Sequence, residues 1–506
     1  DETDTEVGDK ANDSLRINGR ELKCRVVGEG GNLGMTQRGR MEAAENGVKV
    51  FTDFIDNAGG VNCSDHEVNI KILIDEVVKR GDMTDKQRNQ LLADMTEEVA
   101  DLVILDNYRQ TQAIYLSQML SQFGIGPYRR FISELEAQGQ LDRELEFLPT
   151  DEVIQERAST EQGMTLPELS VLISYSKSVL KGAVLASDVP DDPYIQQYLE
   201  RIFPPVLVER FREEMYDHRL KREIVTTQVA NDLVDHMGIV FVRRLIDSTG
   251  ASRADVARAY IVARDSFQLA DTWEQIESLD NQVPSDIQYS MMLDLMRLIR
   301  RTTRWFLRQR LGLSTRDAIE YFAPRVAQLQ EGIGELLRGE EYERWELKRN
   351  ELIEAGVPEG LACNVAAAGS LYGALGVIQA ARQSDEKPQR VAEVFYEIGS
   401  RLELPWMIQQ VTNLDVGDSW QAQARETFRD DIDRQQLALT VSVLKTEDGR
   451  EPEERVDNWL QMHSSLHERW CRLIAEVRSG ASQASFPLFA VAVRELVDLA
   501  ESNGES

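Results

Sequence analysis

Apolar positions divide the chain into two regimes. From Ser64 onward they recur at three- and four-residue spacing, the period of an amphipathic helix. Val225, Val229, Leu233, Met237 and Val240 form one stripe, and Val256, Tyr260, Ala263 and Phe267 repeat it. Before Ser64 the pattern changes to short β-branched runs. Leu22–Val27 and Val48–Phe51 read as strands, each running into a cluster of glycines, and Thr36 opens a helix between them that Gly47 stops. Strand, helix and strand at this length predict a βαβ crossover with neighbouring parallel strands. No third strand follows. The expected fold is therefore mainly α: a partial α/β segment, then a large irregular helical domain. The spacing Ser64-x-x-Glu67 predicts a capping box opening a helix that Gly81 closes. Similar boxes stand at Thr84/Gln87, before a helix running with interruptions toward Gln122, and at Thr165/Glu168 and Ser252/Asp255. Helix breaks are expected near Pro190, Pro193, Pro204, Pro205, Pro284, Pro324, Pro358, Pro388, Pro405, Pro452 and Pro487.

Composition narrows the function. The 506 residues include 57 Lys+Arg and 87 Asp+Glu, a net charge of −30. That field repels phosphate, so neither nucleic acid nor an anionic membrane is an expected partner. A surface adapted to high salt is the other reading of the same excess. Cys24, Cys63, Cys363 and Cys471 show no CxxC spacing, which argues against zinc ribbons and disulfide frameworks and for a reducing, cytoplasmic setting. No apolar run approaches the ~18 residues of a membrane helix. The chain does not begin with Met, so it is expected to be a processed product or part of something longer. Arg297, Arg301, Arg304 and Arg308 share a helical face, expected to pair with the chain's own acids or another subunit's. His463 and His467 have metal-pair spacing without a third ligand, and a solvated face is expected. Cys63 is expected to be a small packed side chain, and the small residues from Ala366 to Ala374 to mark close helix packing.

In a parallel sheet, ligands bind at the carboxyl ends of the strands. The Gly28–Asn32 and Asn57–Val61 stretches both fall there. Glycine lets a ligand approach the backbone, and asparagine offers a donor and an acceptor. Tight turns needing positive φ explain the glycines equally well. Gly28-x-Gly30 is not a dinucleotide fingerprint, because Leu33 stands where the third glycine belongs.

Side by side, Val27–Thr36 and Asp56–Ser64 resemble the closing part of the cofactor domain of glutamate dehydrogenase-type enzymes. The fuller runs Thr36–Arg40 and Ser64–Leu73 are similar to the very large bacterial NAD-specific glutamate dehydrogenases. Glu146–Pro149, Thr165–Leu169, Pro190–Tyr194, His218–Ile224 and Gly250–Ser252 extend the likeness, which is weakest after Arg310. The resemblance implies the end of a Rossmann-type domain binding NAD, within residues 1–125, and a helical C-terminal domain over 126–506. It implies L-glutamate and 2-oxoglutarate as substrates, the upstream part of the same subunit as partner, and a homo-oligomer. By the same resemblance Gly30, Gly31 and Asn32 approach the nicotinamide half of the cofactor, with Gly31 in place of the usual alanine. Asn57, Gly59 and Gly60 stand by its ribose. Ser64 matches a serine that contacts the substrate's side-chain carboxylate, and a helix N-cap accounts for it as well. Asp65-His66 departs from the aromatic pair of smaller relatives. The family's catalytic lysine and aspartate are expected upstream, so no catalytic residue is assigned here. A non-catalytic helical module for assembly or regulation is the alternative.

Overall fold

The structure is a computed structural model and describes residues 3–309, 312–416, 419–446, 451–480 and 484–502. It is predominantly helical and divides into two compact units, Asp1–Ile261 and Val262–Ser506.

In the first unit, β1 (Val26–Val27) and β2 (Lys49–Val50) pair in parallel, Val26 opposite Lys49 and Val27 opposite Val50. Helix α1 (Gln37–Glu45) connects them. The Thr36 hydroxyl accepts the Gly39 N–H at 3.1 Å, a cap contributing about 1 kcal/mol. Ala43, Val48 and Val50 form a small core under Leu22, Val27, Met35 and Ala44. Gly19 lies so close to α1 that a Cβ would stand 2.3 Å from the Gly39 carbonyl oxygen, so no other residue fits there. Among the described residues the sheet has only these two strands, and Val26 is 65% exposed. Cover comes from far along the chain. Helix α4 (Leu166–Leu185) packs on α1 and β2, and Gln37 donates to the Pro167 carbonyl.

Helix α2 (Ala58–Arg80) corrects the expected start at Ser64. It opens at Asn57, directly after the short Asp53–Asp56 helix. The Asn57–Val61 stretch is therefore not a loop, Gly59 and Gly60 are helical, and Ser64 lies two turns in rather than capping. Two glycines in a helix cost about 1 kcal/mol each. The buried stripe Ile70, Leu73, Ile74 and Val77 sets the helix axis and overrides the local capping signal. Helices α3 (Thr96–Gln122), α4 and α5 (Lys221–Met237) build the main core. Val225, Val229, Leu233 and Met237 are buried along α5, and Val240 is buried just beyond its end. Thr84, Thr165 and Ser252 all pair with the residue three ahead, as their spacing predicts. Val256, Tyr260, Ala263 and Phe267 are all buried.

In the second unit, α6 (Ser285–Gln309) meets α7 (Ser419–Leu444) through charge. Arg300 and Arg304 pair with Glu426, Arg304 and Arg308 with Asp430, and Arg301 with Asp433. The arginine face is thus paired within the chain. Pro324 does not break its helix, Thr315–Glu331, since the carbonyl it leaves free belongs to exposed Glu320. His463 is not on a solvated face. It is buried, stacks on Trp459 at 4.2 Å, and its ring nitrogens meet the Trp459 and Ser502 carbonyls. Cys63 is exposed rather than packed, because Asn62 and His66 take the inward face of α2. In the small-residue run the helix breaks after Ala367, and a Cβ on Gly373 would stand 2.8 Å from Phe395, the close packing expected there.

Two outcomes are expected. Hydrogen exchange in residues 22–60 should be faster than in 220–267, since a two-strand parallel sheet has open edges; equal protection would refute this. Asp430→Ala should destabilise the second unit by about 3 kcal/mol, because it strands the buried Arg304 guanidinium. Pairing it with Arg304→Met should recover part of that loss in denaturant titrations.

Candidate functional site

Gly28 to Gly34 leave β1 with almost no side chain to bury, so polar contacts shape the turn. The Glu29 N–H donates to Asp56 Oδ2 at 2.9 Å, and the Leu33 N–H donates to Asp53 Oδ2 at 2.8 Å. Glu29 turns inward, is buried, and accepts two bonds from Arg40 of α1 at 2.5 and 2.8 Å. Its Oε2 also accepts the Met35 N–H, while Arg40 reaches Asp53 at 3.2 Å. One guanidinium therefore ties the loop after β1 to the turn after β2.

These charges respond to burial and to each other. Burial pushes the Asp56 carboxyl up, outweighing the Glu29 N–H that favours its ionised form. For Asp53 burial also pushes upward, but the Leu33 N–H and Arg40 prevail and hold the pKa below the usual 3.8. Asp53 thus adds stability above the ordinary carboxylate range, lost as pH falls through its lower folded value. The bond from Glu29 raises Arg40. Leu33 has φ +62° and is 87% exposed. The left-handed conformation of the missing glycine is present, at about 1–2 kcal/mol for a leucine.

The structure brings Asn32 and Asn57 together: the Asn57 amide donates to Asn32 Oδ1 at 2.7 Å. Gly30 and Gly31 are exposed beside them, and a Cβ on either meets nothing within 4 Å. Ser64 is set apart, about 10 Å along α2 from Asn57 by helical rise. Helical period nevertheless puts Asn57, Val61, Ser64 and Val68 on one face, where Val61, Ser64 and Val68 are exposed. Gly60 borders this face, and Gly59 turns inward toward Val103. Sequence reasoning missed the Glu29, Arg40, Asp53 and Asp56 cluster. The available signal was acids at the ligand edge of both strands, with one arginine on the connecting helix.

Residues 1–117 match the family profile described as bacterial NAD-glutamate dehydrogenase, catalytic domain, and residues 161–498 match glutamate dehydrogenase, C-terminal. The chain belongs to the glutamate dehydrogenase family. Relatives named NAD-specific glutamate dehydrogenase include those of Halomonas elongata, 75% identical over 506 residues, and Pseudomonas aeruginosa, 54% over 504. The Mycobacterium tuberculosis protein of that name is 36% identical over 505 residues. Each match covers 99–100% of this chain, which spans only 31% of each relative. In this glutamate dehydrogenase chain, the asparagine pair and the Arg40 cluster lie inside the catalytic-domain match. Among the described residues no single helix is long and apolar enough to cross a membrane, and no group of metal-binding side chains occurs.

Arg40→Ala should leave Glu29 and Asp53 buried without a counter-charge. Local opening of residues 28–35 should then become easier by about 3–5 kcal/mol in hydrogen exchange. Unchanged protection there would show that the loop is held by other means.

Proposed function

We propose that this chain forms the closing part of the NAD site of a glutamate dehydrogenase and carries its helical C-terminal domain. The observation that supports this best is the Asn32–Asn57 hydrogen bond at the carboxyl ends of two parallel strands. The residues present fit a nicotinamide riboside. Two side-chain amides offer donors and acceptors, and Gly30 and Gly31 leave open space for backbone approach. NAD would accept a hydride from the α-carbon of L-glutamate, and hydrolysis of the imine would give 2-oxoglutarate and ammonia.

The chain's own residues bind and orient. Asn32 would hold the nicotinamide half, Asn57 with Gly59 and Gly60 the ribose, and the Ser64 hydroxyl would donate to the substrate's side-chain carboxylate. No acid, base or nucleophile is assigned to residues 1–506. The catalytic lysine and aspartate belong, on this reading, to an upstream part of the same subunit. We divide the chain into a catalytic segment, 1–125, and a helical segment, 126–506, which serves assembly of a cytoplasmic homo-oligomer.

Spectrophotometry of NADH formation tests this. The complete subunit should oxidise L-glutamate, and the isolated 506-residue chain should not. Asn57→Ala should raise the KM for NAD, and Ser64→Ala that for glutamate, each about tenfold, the value of one hydrogen bond to a charged or well-placed group. Turnover by the isolated chain would disprove the assignment of the lysine upstream. Activity only with another amino acid would disprove the substrate.

A further inference from the structure

The two halves of α2 are held differently. Its C-terminal half buries Ile70, Leu73, Ile74 and Val77. The N-terminal half carries Gly60 and Ser64 outward, yet its inward positions are Gly59, Asn62, His66 and Asn69, with no large apolar side chain among them. Asn62 donates to Asp106 Oδ2 of α3 at 2.8 Å. His66, 1% exposed, meets the Ile202 carbonyl through Nδ1 at 2.7 Å. Its Nε2 points at Asp106 Oδ2 at 3.6 Å and is buried with no hydrogen bond among the described residues. Behind Asp106 stand Lys177 of α4 and Asp235 of α5, paired at 2.7 Å, and Lys177 also reaches Gln110 at 3.3 Å.

We infer that His66, Asp106 and Lys177 form a polar clasp that sets the rotation of α2, making them positioning residues for Ser64 and Asn57. This rests on the function proposed above. Apolar contacts fix how near a helix lies but tolerate rotation about its axis, whereas hydrogen bonds are directional. The clasp closes when imidazolium Nε2–H faces the Asp106 carboxylate. It joins the segment matching the catalytic domain (Asn62, His66, Asp106) to helices of the C-terminal match (Lys177, Ile202, Asp235).

The groups facing His66 are Asp106 and the Ile202 carbonyl, with Asp65 on its own helix; Lys177 and Asp235 face Asp106 from behind. Burial disfavours the imidazolium, but Asp106 and the Ile202 carbonyl outweigh it and hold the pKa above the usual 6.5. The same partners, with Asn62 and Lys177, hold Asp106 low against its burial. The clasp is therefore complete below pH 6.5 and opens as pH rises through the folded value of His66.

The test compares wild-type, Asp106→Asn and Asp106→Glu forms of the full-length enzyme across pH. In wild type the KM for glutamate should rise above neutral pH. Asp106→Asn should show a KM about tenfold higher at pH 6.5, without that pH dependence, with kcat within twofold and an unchanged Tm; Asp106→Glu should restore the profile. In the 506-residue chain, ¹⁵N-histidine spectra of its five histidines should show the His66 midpoint falling in Asp106→Asn. Wild-type KM and pH profile in Asp106→Asn would overturn the clasp while leaving the proposed function standing. So would KM and Tm deteriorating together, which marks a merely structural role, or a His66 midpoint that stays put. A wild-type enzyme that leaves glutamate untouched would overturn the proposed function instead.

Discussion

Everything at the ligand edge of this chain hangs on the Arg40 guanidinium. Two parallel strands of two residues each cannot hold their loops by pairing alone, and glycine-rich loops have no apolar side chains to bury. A buried cation facing Glu29 and Asp53 replaces both. Its attraction is strong because water is excluded, and its planar fork fixes direction as well as distance. Through Glu29 and Asp53 the same charge reaches the backbone of Met35 and Leu33. The asparagine pair inherits its geometry from that tie.

Helical content was readable from periodicity because helices need only local spacing. The stripes on α5 and after Ser252 are buried as their period requires, and the caps at Thr36, Thr84 and Thr165 stand where the side chains ask for them. Ser64-x-x-Glu67 misled for an instructive reason. A capping box records what a helix start would like, while α2 is positioned by apolar burial four turns long. Proline at 324 misled likewise, since an exposed carbonyl on the preceding turn has water for a partner.

Of the candidate site, the loops and asparagines were legible because glycine and asparagine announce special backbone. The charges that hold them were not. Glu29 and Asp56 are 27 positions apart, and Asp106, Lys177 and Asp235 converge from three helices. No periodicity encodes such meetings; only the fold does. His463 shows the same limit, its ring read as surface yet filling a carbonyl-lined niche against Trp459.

The arginine seam between α6 and α7 bears on how this molecule meets ionic strength. With a net charge of −30, its exposed carboxylates repel one another through water, and dissolved ions screen that repulsion within about 10 Å at 0.1 M. Arg304 and Asp430 are each only 7% exposed, so the same ions cannot come between them. Salt thus subtracts from the forces that push the second unit apart while sparing those that draw it together. A brine that would loosen an ordinary surface ion pair tightens this one's surroundings.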